Sequence, residues 1–226
     1  MKLKYFSHSA FQVTTNSGTI ILFDPFLDDN PTSPIKSKDV KPDYIILSHA
    51  HDDHIGDSLK IAKKNKLTFI SVDELGNYLD AKGFQTHHMH IGGGHDFDFG
   101  RVEFTIAHHG SGTPEGTYGG EAAGIILKAD GKTIYYTGDT GLFLDMKLIG
   151  EMNGPVDYML VPIGDNYTMN INAAVKAVDF VKPKIAIPIH YNTFPVIKAD
   201  PEEFKQKVEA VGLKSRVLKY GEEINL

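Results

Sequence analysis

The chain contains no cysteine among its 226 residues. That absence excludes a disulfide framework, a thiolate metal site and a cysteine nucleophile, so any metal must be held by histidine and carboxylate. Eleven histidines are available for the purpose. There is no run of about 18 apolar residues, the length a membrane span would need. The N-terminal stretch MKLKYFSHSAFQVTT alternates polar and apolar residues like a strand and lacks the apolar region of a signal peptide. The cytoplasm is therefore the expected location. Positive charge is in deficit: the formal net charge of −6 gives no general basic footprint for nucleic acid or an anionic membrane.

What is present is ordinary for a soluble globular protein, with 41% hydrophobic and 23% charged residues. The length suits one substantial core, and the chain is read as one domain over residues 1–226. Strand-like runs are Leu3–Phe6, Phe11–Thr15, Thr19–Phe23, Tyr44–Leu47, Thr68–Ile70, Val102–Ala107, Ala122–Leu127, Thr133–Tyr136, Tyr158–Leu160, Ile185–Ile187 and Val217–Leu218. TNSG and ADGK lie between apolar runs and predict hairpins. Helices are expected at Ile55–Lys64, Val72–Ala81, Leu142–Glu151, Asn172–Val181 and Pro201–Val211, the last with Asp200 as N-cap. Hairpins come first, and single strands alternating with helices follow. That order predicts an α/β (α+β) fold with a pair of mixed sheets covered by helices. Two long polar loops, Asp24–Pro42 and Gly110–Gly120, are left open as gate, interface or plain connection.

The densest chemistry lies in SHAHDDHIGD, Ser48–Asp57, with three histidines and three aspartates in ten residues. It follows the apolar run DYIIL, read as a buried strand, and leads into a helix. A strand-to-helix turn presents side chains at the sheet edge, where α/β proteins place their chemistry. His49 and His51 are two apart, so extended backbone points both rings the same way. Asp53 and His54 follow at the helix entrance. The spacing can feed two metals, one from each pair, since divalent zinc takes imidazole and carboxylate ligands.

His49-Ala50-His51-Asp52-Asp53-His54 resembles the His-x-His-x-Asp-His signature of the metallo-β-lactamase superfamily at every fixed position. The resemblance implies further ligands in order along the chain. FTIAHHGSG offers His109, with His108 as a neighbouring loop histidine; IYYTGDT offers Asp139; IAIPIHYNTFP offers His190. Asp24, in ILFDPF, stands where the superfamily has an aspartate supporting the metals, and a carboxylate there fixes the tautomer of a ligand histidine. The implied fold is a four-layer αββα sandwich with the metals at one edge between the sheets. The implied centre holds two divalent ions. His49, His51 and His109 would hold one, Asp53, His54 and His190 the other, and Asp139 would bridge them. Zinc is the first choice; manganese, iron, nickel and cobalt suit the same donors. The implied reaction is hydrolysis by a hydroxide generated at the metal pair, with Asp53 and Asp139 as the catalytic carboxylates.

Within the superfamily, SHSAF (Ser7–Phe11), VPIGDNYTM (Val161–Met169) and IPIHYNTFP (Ile187–Pro195) resemble a subgroup of short metal-dependent hydrolases related to bacterial ascorbate-6-phosphate lactonases. Many of that subgroup carry Gly-Gly where this chain has Asp165-Asn166. The resemblance favours a lactone or ester of a small molecule. A small phosphodiester or nucleotide is the alternative substrate, and a non-catalytic metal-binding protein the alternative class. His8, Tyr191 and Asn192 are candidate substrate contacts; Tyr167 and Tyr118 are read as loop-packing aromatics. His87, His88, His90 and His95 read as solvated rings alternating along a polar strand rather than as a second site. Self-association is left open.

Overall fold

Alternating apolar residues give each strand two faces, and a strand with both faces apolar must be covered twice. The computed structural model, which describes residues 1–226, satisfies this with two sheets face to face and helices against them. In chain order the first half contains β1 (Lys2–Ser7), β2 (Ala10–Thr14), β3 (Ile20–Phe23), β4 (Tyr44–Ile46), α1 (Asp52–Ile55), α2 (Ser58–Ala62), β5 (Thr68–Val72), α3 (Asp73–Ala81) and β6 (Thr86–Met89). The second contains β7 (Gly94–Phe97), β8 (Gly100–Ile106), β9 (Ala123–Ala129), β10 (Lys132–Tyr136), α4 (Met146–Asn153), β11 (Tyr158–Pro162), α5 (Ile171–Val181), β12 (Ile185–Ile189) and α6 (Pro201–Ala210). The final strand, β13 (Glu223–Asn225), returns to pair antiparallel with β1. The sheet orders are β13-β1-β2-β3-β4-β5-β6 and β12-β11-β10-β9-β8-β7.

Each sheet begins with antiparallel pairs and ends with parallel ones. The parallel part matters for function, because it gathers strand C-termini at one edge. Both predicted hairpins form. At the second, Asp130 (φ +51) and Gly131 (φ +72) make consecutive left-handed residues between β9 and β10, as a two-residue hairpin turn requires.

Period-two sorting is clear in the second sheet. Ile125, Leu127, Ile134, Tyr136, Leu160 and Ile187 face the first sheet in one core. Their alternates Ile126, Tyr135, Met159, Val161 and Ala186 pack with Met146, Ala174, Val178, Phe204 and Val208 of the helices in a second core. Each fully buried large apolar side chain contributes about 1.5–3 kcal/mol to this arrangement. Asn170 caps α5 by accepting from Ala173 N–H, and Asp200 caps α6 by accepting from Glu202 N–H.

Three expectations are corrected. The helix predicted over Ile55–Lys64 is two short helices, α1 and α2, parted at Gly56. Gly56 has φ +46 and ψ −125, a region open only to glycine, and a Cβ there would lie 2.5 Å from Pro25 O. The helix predicted from Leu142 begins at Met146: residues 142 and 143 are irregular, and 144 and 145 form a turn. Val217–Leu218 is not a strand; the pairing segment is Glu223–Asn225, whose single buried residue, Ile224, carries too little pattern to read. β6 and β7 are edge strands rich in histidine, and polar edge strands lack the apolar alternation that announces a strand.

Candidate metal centre

Nearly all the implied ligands sit where a strand ends. His49 and His51 follow β4, His109 follows β8, Asp139 follows β10 and His190 follows β12; Asp53 and His54 lie in α1, and Asp24 follows β3. The two sheets thus bring residues from five separate strand ends to one edge of the sandwich. Three site residues that are not glycine hold left-handed backbone: His8 (φ +57), Asp24 (φ +38) and His190 (φ +53). Such positions cost about 1–3 kcal/mol each and persist where the surroundings dictate them.

Two ligand groups form. His49, His51 and His109 have donor atoms within 4.8 Å of one another, as do His8, Asp53, His54 and His190. Asp139 lies between the groups, its Oδ2 at 2.9 Å from His190 Nε2, 3.3 Å from His54 Nε2 and 3.8 Å from His109 Nε2. His108, by contrast, turns away and stacks on Phe143.

The donor chemistry fits divalent cations. Ser48 Oγ donates to Asp24 Oδ2 and so accepts from His49 Nδ1 at 2.9 Å. That places the His49 proton on Nδ1 and leaves Nε2 as a bare lone pair, 3.0 Å from His51 Nδ1. Two imidazole nitrogens at that separation need a cation or a shared proton between them. Asp24 accepts from His54 Nδ1 at 2.7 Å, so His54 Nε2 is likewise free and faces the site. His54 Nε2, His190 Nε2 and Asp139 Oδ1 are buried and lack hydrogen-bond partners. Buried polar atoms are otherwise nearly always paired, so these orphans are donor atoms that could hold an ion.

Charge points the same way. Burial raises the Asp139 carboxyl, but His190 and His54 beside it outweigh burial and hold it well below the usual range. Burial likewise raises Asp53, and His54, His190 and His8 bring it far below. In return, burial lowers His190 while Asp139 and Asp53 lift it, to about 9. His54 is raised in the same way against its own burial, by Asp139, Asp53 and Asp24. The carboxylates draw positive charge into a dry pocket, the demand a divalent ion meets. Burial lowers His49 and, less completely buried, His109.

Asp24 is fully buried under four donors: Ser48 N–H at 2.9 Å, Ser48 Oγ, His54 Nδ1 and the Tyr136 hydroxyl at 2.6 Å. Neither Ser48 nor Tyr136 was readable as a site residue, since serine and tyrosine carry no metal-ligand pattern. Ser111 accepts from Ala50 N–H and donates to Gly119 O, so the loop Gly110–Gly120 is tied to the metal-binding turn.

The other candidate contacts separate. His8 is fully buried, with Nε2 at 3.1 Å from Asp53 Oδ2 and Nδ1 at 2.9 Å from Thr193 Oγ1. Burial, and then His190, depress His8 to about 4, so the contact with Asp53 is a hydrogen bond from a neutral ring rather than an ion pair. Tyr191 is buried in the outer core of the second sheet, and Asn192 clasps Ala199 through both its amide atoms; neither lines the cleft. Tyr167 does. The cleft, about 190 Å³, is lined by His51, Asp53, His109, Asp139, Tyr167 and His190. Tyr118 stays exposed on its loop. Tyr167 reaches the cleft because Asp165 (φ +60) and Asn166 (φ +47) turn the chain in left-handed conformation just before it. Aspartate and asparagine tolerate that backbone best after glycine, so Asp165-Asn166 can hold the turn.

Known proteins share this sequence pattern and fold. A model of the β-lactamase superfamily domain matches residues 19–191. The chain belongs to the metallo-β-lactamase superfamily. Over its full length it is 48% identical to a UPF0173 metal-dependent hydrolase of Bacillus thuringiensis subsp. konkukian, across 231 aligned residues and all of that protein, and it falls within that family of metal-dependent hydrolases. The structure of Igni18, a metallo hydrolase from the hyperthermophilic archaeon Ignicoccus hospitalis, superposes with TM-score 0.90 at 42% identity, covering 99% of this chain and 97% of that one. The fold extends further: an isothiocyanate hydrolase from Delia radicum gut bacteria gives TM-score 0.79 at 19% identity, covering 100% of this chain and 99% of that one. No helix of this superfamily member is long and apolar enough to cross a membrane.

Proposed function

We propose that the protein holds two divalent ions and hydrolyses the carbonyl centre of a small lactone or ester. The observation that carries this reading is the meeting of two ligand groups at Asp139: His49, His51 and His109 on one side, Asp53, His54 and His190 on the other. Five imidazoles, two carboxylates and no thiolate make zinc the first ion to test. When bound, such ions supply Lewis acidity and bring a water toward a pKa of about 7.

The chain's own residues set the rest. Asp24 and Ser48 fix the tautomers of His54 and His49, so their Nε2 atoms point into the site without rearrangement. Asp53, kept ionised, is an acceptor beside the cleft and orients a water proton rather than giving one up. The cleft walls include no lysine or arginine. A metal pair clamps phosphoryl as well as carbonyl oxygens, so the phosphodiester stays the alternative that turnover must separate. At about 190 Å³ the cleft is below the usual span for drug-sized ligands of about 300–1,000 Å³, which favours a small substrate. The Tyr167 phenol at its mouth offers one hydrogen-bonding group and an apolar ring to the part of the substrate away from the ions.

The test is turnover by zinc-reconstituted protein of a lactone series, p-nitrophenyl esters and bis(p-nitrophenyl) phosphate. The resemblance to ascorbate-6-phosphate lactonases motivates the lactone arm. Lactone or ester turnover that disappears in Asp139→Ala is expected, with Tyr167→Ala raising KM. Turnover of the phosphodiester alone would replace carbonyl by phosphoryl chemistry. Two bound zinc ions with no turnover of any class would favour a binding protein.

A further inference from the structure

His8 lies outside the ligand signature, yet its backbone and side chain both bear on one half of the site. Its carbonyl oxygen, between β1 and β2 of the first sheet, accepts His190 N–H at 2.8 Å from the end of β12 in the second sheet. The Tyr5 hydroxyl donates to the same oxygen at 3.0 Å. The turn at His8 therefore pins the segment that carries the His190 ring. The His8 ring lies 4.0 Å from the His190 ring, centroid to centroid, and Phe26 and Phe194 pack edge-on against it at 5.7 and 5.5 Å. Its side-chain hydrogen bonds and ring contacts reach Asp53, Thr193, His54 and His190 rather than His49, His51 or His109, so its influence falls on the group built from Asp53, His54 and His190.

The hydrogen bonds set the ring's tautomer. Asp53 Oδ2 can only accept, so His8 Nε2 at 3.1 Å must carry the proton. Nδ1 is then a lone pair, and the Thr193 hydroxyl at 2.9 Å donates to it. Thr193 stands three residues beyond His190, so one short segment supplies a ligand and fixes the donor that steers another. His8 is fully buried and is not among the residues that line the cleft, so its ring bears on Asp53 and His190 rather than on the cleft space where the sequence suggested a substrate contact. The left-handed backbone at φ +57 shows that the turn accepts conformational cost to place this ring.

We propose that His8 is a positioning residue for the second metal position: it donates Nε2–H to Asp53 Oδ2, fixes the orientation of that carboxylate, and leaves the position formed by His49, His51 and His109 unaffected. This rests on the two-position reading above. The test compares His8→Leu with His8→Gln in the full chain. Both side chains bear the same left-handed backbone, so the difference between them reports the lost donor, which glutamine can partly restore. The probe is zinc alone, measured as ions per chain at buffered free concentrations, together with kcat and KM for any substrate the panel yields.

The expected result for His8→Leu is one zinc held as in the unaltered protein and the other weakened by about 10–100-fold, the usual effect of losing an outer hydrogen-bond partner. His8→Gln should recover part of that loss, and kcat should fall more than KM rises. Equal weakening of both ions, or no weakening of either, would overturn the proposal. Should His8→Leu fail to fold, Thr193→Val removes the hydroxyl that holds Nδ1, and so the ring's aim at Asp53, at nearly constant shape, and must show the same one-sided loss. An unaltered protein that binds only one zinc would overturn the two-position reading, and this proposal with it.

Discussion

Replacing Asp24 by asparagine tests the support beneath the metal centre without changing its shape. The carboxylate receives three donors at Oδ2, from Ser48 Oγ, His54 Nδ1 and the Tyr136 hydroxyl, and one at Oδ1, from Ser48 N–H. Asparagine can turn its oxygen toward the three, and its NH2 then faces the Ser48 N–H, donor against donor. The reverse orientation is worse, because it sets three donors against NH2. One buried unsatisfied pair costs about 1–3 kcal/mol. At about 2–4 °C per kcal/mol for a chain of this size, Tm of the metal-free protein should fall by about 2–12 °C. The loss of charge behind His54 adds a separate effect on the metal. An outer carboxylate that orients a ligand histidine is worth about 10–100-fold in affinity, or about 1.4–2.7 kcal/mol. Thermal melts of stripped protein read the first quantity, and chelator competition for zinc reads the second. Unchanged zinc affinity in a folded Asp24→Asn protein would refute the claim that Asp24 acts through His54.

Asp139→Ala should abolish hydrolysis and lower the number of zinc ions per chain while circular dichroism stays native; a folded variant with full activity would remove Asp139 from the centre. Gly56→Ala should lower Tm by several degrees, because glycine-only backbone costs about 1–3 kcal/mol to impose on alanine and the new Cβ would meet Pro25 O at 2.5 Å; an unchanged melting curve would refute the close approach. His88 lies between Asp73 at 2.9 Å and Asp80 at 2.8 Å, and these carboxylates outweigh its partial burial and raise it above its ordinary value. Its contribution to stability is therefore complete below about pH 6.5 and lost as pH rises through the folded-state value. NMR titration should place His88 above free histidine, and Asp80→Asn should bring it back down; a His88 titrating at or below the free value would contradict the pairing.

Much of the architecture was legible because it follows from local rules. Period-two apolar runs announced most strands, ADGK and TNSG announced their hairpins, and Asp200-Pro201 announced the start of α6. The helix over Ile55–Lys64 misread for the opposite reason: what breaks it is Pro25 pressed against Gly56, some thirty residues away in sequence and invisible to any local pattern. β13 escaped, and β6 and β7 showed only as one polar alternation without bounds, because edge strands are held by neighbours rather than by their own apolar faces.

The candidate ligands and their order along the chain were legible in the sequence: His49 to His54 through their own spacing, and His109, Asp139 and His190 through the resemblance to the superfamily. Which of two adjacent histidines turns inward was decided by tertiary packing: Phe143 offers His108 a ring to stack on, and His109 is left to face Asp139. Packing likewise buried His8 behind Asp53, withdrew Tyr191 into the outer core and brought Tyr167 to the cleft. The reason is one of range. A ligand motif is written in contiguous residues whose spacing the backbone converts directly into direction. A supporting hydrogen bond or a cleft wall depends on where distant segments come to rest, and only the assembled sheets determine that.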